Sequence, residues 1–200
     1  MKRFKKSESF LLVGLGNPDP NYINNRHNIG FRTIDYISQS HKISVSKHKK
    51  NAFIGSGLIN NTSVILAKPT TYMNLSGEAV RKLISFFKIE QNNLFIIYDD
   101  MDIPLGQMKI KKYGSSAGHK GIQSIIDHIG TDQFIRFKLG IGKPISNIPI
   151  EKYVLNDFDE EELKKVDYSI KRCGEALIFS LRNEIDRTMN DYNKKVIYES

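Results

Sequence analysis

Two short runs constrain this chain more than anything else in it. Residues 10–15 and 94–98 are apolar apart from one glycine and one tyrosine, and each run stops abruptly at polar residues: Gly16-Asn17-Pro18 after the first, Asp99-Asp100-Met101-Asp102 after the second. A strand with one wet face alternates apolar and polar side chains, so a continuous apolar run of this length reads as a strand buried on both faces. Helical patterns fall between such runs. Ile29, Phe31, Ile34, Tyr36 and Ile37 mark a broad apolar face with Asn25 or Asn28 available to cap it, and further helices are expected over 76–87, over 120–129 and through the last third from Asp159 on, where the apolar stripe recurs to Leu181. Residues 53–59 and 63–67 read as two strands joined by an Asn60-Asn61 turn, with more strands at 108–112 and 135–141. In the last of these, Arg136 and Lys138 share a face because side chains alternate. No repeat or clear linker divides the chain, so one α/β domain is the simplest reading. In such a sheet, polar groups at the carboxyl ends of buried strands mark the site.

Composition narrows the class. The 200 residues carry 30 Lys and Arg against 22 Asp and Glu, a formal charge of +8, and 40% are hydrophobic. A chain of this kind buries a sizeable core and attracts polyanions, of which nucleic acid and an anionic membrane surface are the usual partners. The longest apolar run is far short of the roughly 20 residues a spanning helix needs. The basic residues Lys2, Arg3, Lys5 and Lys6 ahead of 10–13 imitate a secretory signal, but Ser7-Glu8-Ser9 interrupts the apolar part and Asn17-Pro18-Asp19-Pro20 is no cleavage site. The lone Cys173 cannot form an internal disulfide, which suits a reducing cytoplasm, and its spacing with Val166, Ile170 and Leu177 puts it on an apolar helix face.

Several residues are candidates for chemistry. Gly14-Leu15-Gly16 lacks the third glycine of a dinucleotide fingerprint, and Pro18 and Pro20 obstruct a phosphate-cradling helix start. Asp99, Asp100 and Asp102 suit a divalent metal, yet no second cluster completes a shell, and loop aspartates also serve as turn residues and caps. His27 lies in a polar stretch between Arg26 and Asn28, where a core histidine has no reason to be, and is a candidate general base; an exposed or helix-start histidine is its bland alternative. His119 follows a Gly-rich loop and heads a helix, as a structural residue bonding loop backbone. His41, His48 and His128 carry no assigned chemistry, and Lys47, Lys49 and Lys50 read as solvated surface.

Five segments occur in order: Val13-Gly14-Leu15-Gly16-Asn17-Pro18, Arg26-His27-Asn28-Ile29-Gly30-Phe31, residues 68–77 (KPTTYMNLSG), residues 98–106 (YDDMDIPLG) and Gly118-His119-Lys120-Gly121. Together they closely resemble the bacterial peptidyl-tRNA hydrolase family, from about Phe10 to the C-terminal helices. The resemblance implies a mixed, twisted β-sheet surrounded by α-helices, with residues 10–200 as the single domain and 1–9 as a basic extension that it does not cover. It implies a monomeric cytoplasmic esterase that frees tRNA from peptide, without metal, cofactor or membrane. By resemblance His27 is the base that activates water and Asp99 its carboxylate partner. Asn17 and Asn74 hold the peptide, Tyr22 and Tyr72 line the 3′ end, and Lys111 with Lys138 clamps the tRNA 5′ phosphate. Lys120 stands where the family often has an asparagine that orients substrate and water, and an ammonium there either meets the same carbonyl or turns to phosphate or solvent. The alternative is a non-catalytic RNA-binding factor on the same fold.

Overall fold

The computed structural model, which describes residues 9–144 and 147–196, sets β1 (Ser9–Gly14) between β4 (Thr62–Pro69) and β5 (Leu94–Asp100), parallel to both. β7 (Ile135–Gly140) extends this parallel core beyond β5. Antiparallel strands close both edges: β3 (Ala52–Ile59) on β4 with the short β2 (Lys47–Lys49) outside it, and β6 (Met108–Lys111) on β7. The order β2-β3-β4-β1-β5-β7-β6 is therefore a mixed seven-stranded sheet in one domain, as the resemblance implies.

Alternation along β1 divides the apolar interior into two layers. Leu12 joins a cluster with Ile34 and Ile37 of α1 (Ile29–His41) and Val166, Ile170 and Leu177 of α5 (Glu160–Ser180). Its neighbours Leu11 and Val13 face the other way, toward Val80 and Leu83 of α2 (Ser76–Phe87) and Ile122 and Ile125 of α3 (Lys120–Ile129). Cys173 lies fully buried in the α5 layer, and burial pushes its thiol pKa up. No helix among the described residues is long and apolar enough to cross a membrane.

Several details differ from the sequence reading. Ser9, assigned to the basic extension, already belongs to β1, while residues 1–8 lie outside the described part. β2 is Lys-His-Lys with every residue exposed, so no apolar pattern announces it. The short α4 (Ile150–Val154) was also not foreseen, and the helical region expected from Asp159 on divides into α5 and a separate α6 (Ile185–Tyr192). Neither Asn25 nor Asn28 caps α1 with its side chain. Asn28 instead clasps the Asn17 backbone, its Oδ1 accepting from the Asn17 N–H at 2.7 Å and its Nδ2 donating to the Asn17 carbonyl at 3.0 Å.

The start of α1 is pressed against the ends of β1 and β5. A Cβ on Gly30 would lie 2.4 Å from the Ile97 carbonyl oxygen and 2.5 Å from that of Leu15, both backbone atoms with nowhere to go. This approach brings the residues before α1, His27 among them, over the strand ends. A Gly30→Ala variant should therefore lose roughly 3 kcal/mol or more of stability, read as a lowered denaturant midpoint; a midpoint equal to that of the parent would show that the helix can back away from the sheet.

Candidate active site

β5 runs two residues past its apolar stretch because Asp99 and Asp100 still pair with Leu139 and Gly140 of β7. Successive side chains on a strand point opposite ways, so the two carboxylates meet different partners. Asp99 is 2% exposed, and its Oδ1 accepts from His27 Nδ1 at 2.7 Å and from His119 Nε2 at 3.1 Å. Burial by itself would raise the Asp99 pKa, but the two imidazoles outweigh it and hold the carboxyl well below the usual carboxylate range. Asp100 instead pairs with Lys138 and accepts the Asp102 N–H at 2.8 Å.

The hydrogen bonds assign both histidine tautomers. His119 Nδ1 accepts from the Ile122 N–H at 3.2 Å, capping α3, so its proton sits on Nε2 and is donated to Asp99. The expected backbone role of His119 is thus real, but sequence reasoning missed its contact with the carboxylate. His27 carries its proton on Nδ1 toward Asp99, which leaves Nε2 as the acceptor. The two rings lie 5.0 Å apart, and Tyr98 packs edge-on against His119 at 4.9 Å.

A second overlooked residue anchors the turn that carries His27. Arg26 is nearly buried, with its guanidinium 4.7 Å and 4.8 Å from the ring centroids of Tyr153 and Phe158. Its terminal nitrogens donate to the Asp157 carbonyl and to both Glu162 carboxylate oxygens, at 2.7 to 2.9 Å. Such a planar, bidentate arrangement suits arginine alone. It ties the turn before α1 to the segment joining α4 and α5.

One cleft of about 610 Å³ gathers His27, Asp99, Asn17, Tyr22, Tyr72, Asn74 and Lys120. Asn17 Oδ1 already accepts from the Met73 N–H at 3.0 Å, which orients the amide and presents its Nδ2 as a donor. Tyr72 and Asn74 are exposed on the rim, and Met73, Met101, Ile150, Val154 and Leu155 supply an apolar wall. Lys120 reaches across to Glu151 at 3.7 Å, with both side chains more than 60% exposed. Lys111 and Lys138 lie outside the cleft lining. Lys111 pairs with Arg136 in the β6–β7 register, which puts Lys111 and Lys138 diagonally on one face, roughly 7–8 Å apart. Lys138 is committed to Asp100, whereas Lys111 is exposed.

Ligand atoms of His27, Asp99 and His119 lie within 4.8 Å of one another, a grouping that a metal ion would need. Here the carboxylate oxygen serves both ring N–H groups, and His119 Nδ1 is spent on the cap, so an ion would have to expel two protons to enter. The arrangement instead suits a histidine general base oriented by a buried carboxylate.

The family model for peptidyl-tRNA hydrolase matches residues 11–199. The peptidyl-tRNA hydrolase of Bacillus subtilis (strain 168) is 39% identical over 186 residues, which are 93% of this chain and 99% of that protein. That of Clostridium botulinum (strain Eklund 17B / Type B) is 44% identical over 184 residues, 92% of this chain and 95% of its own. The crystal structure of peptidyl-tRNA hydrolase from Acinetobacter baumannii superposes with a TM-score of 0.88 at 31% identity, covering 94% of this chain and 95% of that one.

The buried carboxylate makes stability depend on acid in a defined way. Asp99 titrates in the fold below its ordinary value of 3.8, so the unfolded chain binds more protons in that range. Its contribution is complete above the ordinary value and is lost as pH falls toward the lower one. Asp99→Asn should cost about 1–3 kcal/mol at neutral pH, and the parent's advantage, read by urea melts, should shrink between about pH 4 and pH 2. An advantage unchanged over that interval would show that Asp99 is not held ionised.

Proposed function

The chain belongs to the peptidyl-tRNA hydrolase family, and we propose that it cleaves the ester between peptide and tRNA with a water molecule activated by His27. The observation that carries this reading is the Asp99 oxygen shared by the two imidazoles, which fixes the His27 proton on Nδ1 and leaves Nε2 as the base. Water attacks the ester carbonyl as its proton passes to Nε2. The tetrahedral intermediate then collapses, the ribose 3′ oxygen takes that proton from Nε2, and the peptide leaves as its carboxylic acid, which releases its proton to solvent, while free tRNA departs. Asp99 stabilises the transient imidazolium, and base catalysis of this kind contributes roughly 10²- to 10⁴-fold. An ester is more reactive than an amide, so no covalent nucleophile is required.

The cleft supplies the rest. Asn17 Nδ2 is the donor for a peptide or ester carbonyl, since its oxygen is engaged by Met73. Asn74 on the rim reads a peptide backbone of any sequence, because an amide both donates and accepts. Tyr22 and Tyr72 offer rings on which the 3′ terminal base or ribose can stack. Lys111 meets the 5′ phosphate as a free cation, and Lys138 joins it by exchanging Asp100 for phosphate. Lys120 acts at the mouth of the cleft, and its exposure supports the reading that activity survives without the family's usual asparagine.

We further place the enzyme in the cytoplasm as a monomer, a reading supported by the assembly of the whole candidate site within one chain. A non-catalytic RNA-binding factor is not favoured, since a scaffold has no use for a histidine held in one tautomer by a buried carboxylate.

His27→Ala should abolish peptide release from peptidyl-tRNA while leaving tRNA binding within a few-fold of the parent, by gel shift and by a release assay run in parallel. Retained hydrolysis would remove His27 from the mechanism. Dialysis against a chelator should leave the rate unchanged, because both imidazole protons are engaged by the carboxylate; loss restored by a divalent ion would point to a metallohydrolase.

A further inference from the structure

Away from the cleft, a concavity of about 500 Å³ opens between the β2–β3 turn and the outer face of α2, lined by Lys50, Glu78, Arg81, Lys82, Phe86 and His128 among others. Lys49 adds its ammonium at the rim, 4.0 Å from the centroid of the half-exposed Phe86 ring, with that of Lys50 at 5.1 Å. Four cations thus converge on a lining that contains one carboxylate, and none of the four is ion-paired among the described residues. Like charges drawn together are destabilising unless something compensates, and the ring face of Phe86 does so in part.

The turn itself carries an independent sign. Lys50 and Asn51 are the two central residues of a tight hairpin turn, with φ of 55° and 62°. This left-handed conformation strains most residues with a Cβ and is best borne by Gly or Asn, as in the corresponding β3–β4 turn, Asn60-Asn61. Left-handed lysines occur elsewhere in this chain at Lys42 and Lys88, but those close helices, where a cation favours the terminal carbonyls. Lys50 has no helix end to serve. Strain of this kind points from an observed outlier to function.

We propose that this concavity is a second RNA site, which takes the phosphate backbone of an RNA segment other than the acceptor end held in the cleft. The convergent cations match phosphates. His128 donates its Nδ1 proton to the Ser124 carbonyl at 2.8 Å, so its Nε2 is an acceptor for a ribose 2′-hydroxyl, which favours RNA over other polyanions. The site is remote from Lys111. β2 and β6 are opposite edges of the sheet, six strand spacings or about 29 Å apart if laid flat, so an acceptor stem lying on Lys111 leaves this edge free. The inference goes beyond the hydrolase reading; the cation cluster and the strained turn stand without it, and only the separation from the acceptor end rests on it.

The test compares two double variants of equal charge: Lys50→Asn with Lys82→Gln in the concavity, and Lys164→Gln with Lys171→Gln on the exposed face of α5. The Asn substitution relieves the strained turn, so the first variant should be at least as stable as the parent. With labelled poly(U) in fluorescence anisotropy, it should bind about 10-fold more weakly at low salt, and its slope of log K against log salt should fall by about 1.4. The α5 variant should match the parent on both counts. Hydrolysis of peptidyl-tRNA, as kcat/KM, should stay within about 2-fold for both. Equal losses in the two variants would reduce the effect to net charge and overturn the proposal. A parallel fall in kcat/KM would place the site on the substrate's own path and overturn it as a separate one. Unchanged RNA binding with weakened binding to phosphatidylserine vesicles would assign the patch to a membrane instead.

Discussion

A buried carboxylate with two imidazoles on one oxygen is the contact on which the rest of this structure depends. Asp99 would not remain ionised at 2% exposure without partners, because burial alone drives a carboxyl toward its neutral form. His27 comes from the turn before α1 and His119 from the start of α3, helices that cover opposite faces of the sheet. The carboxylate at the end of β5 is therefore where the two layers are pinned together, and each ring is oriented by the same atom. The placing of the His27 ring follows from packing beneath it, through Gly30 against the strand ends and Asn28 on the Asn17 backbone.

Adjacent aspartates do different work because a strand alternates. Asp99 organises the imidazoles, while Asp100 turns to Lys138 and neutralises it. Lys138 is thereby already paired, whereas Lys111 stands exposed on the neighbouring strand. Arg136, on the same face, is turned indoors: it stacks on Phe134 at 4.4 Å and its terminal nitrogens donate to loop carbonyls at Ser115 and Asp132. Of the basic residues on β6 and β7, Lys109 and Lys111 are the exposed ones, while Lys138 and Arg136 are held by contacts within the fold.

The sequence disclosed the buried strands, the main helices and their order, because apolar periodicity records burial and these elements are buried. Through the family resemblance it also pointed to seven of the residues that line the cleft. What it hid has physical causes. β2 is an exposed edge strand made by pairing, so Lys47, His48 and Lys49 show no burial pattern. Asn28 looks like a cap but spends both amide groups on a neighbouring loop, a choice made by tertiary contact. His119 was legible as a helix-start residue and not as a partner of Asp99, because their meeting depends on where α3 starts relative to the end of β5. Arg26 drew no reading of its own beyond flanking His27, because its two aromatic neighbours and Glu162 lie more than a hundred residues away along the chain.

That last arrangement limits how sequences on this fold can drift. Arg26 needs the flat faces of Tyr153 and Phe158 and the paired oxygens of Glu162, and Glu162 also closes the capping box at the head of α5. No one of the four can change while the others keep their present use: a lysine at 26 cannot stack and fork, and a shortened acid at 162 gives up the helix start together with the guanidinium. Such positions are inherited as a block or replaced as a block, so relatives that differ at one should differ at its companions, and a graft of α4 and α5 from another member would need to bring its own residue 26.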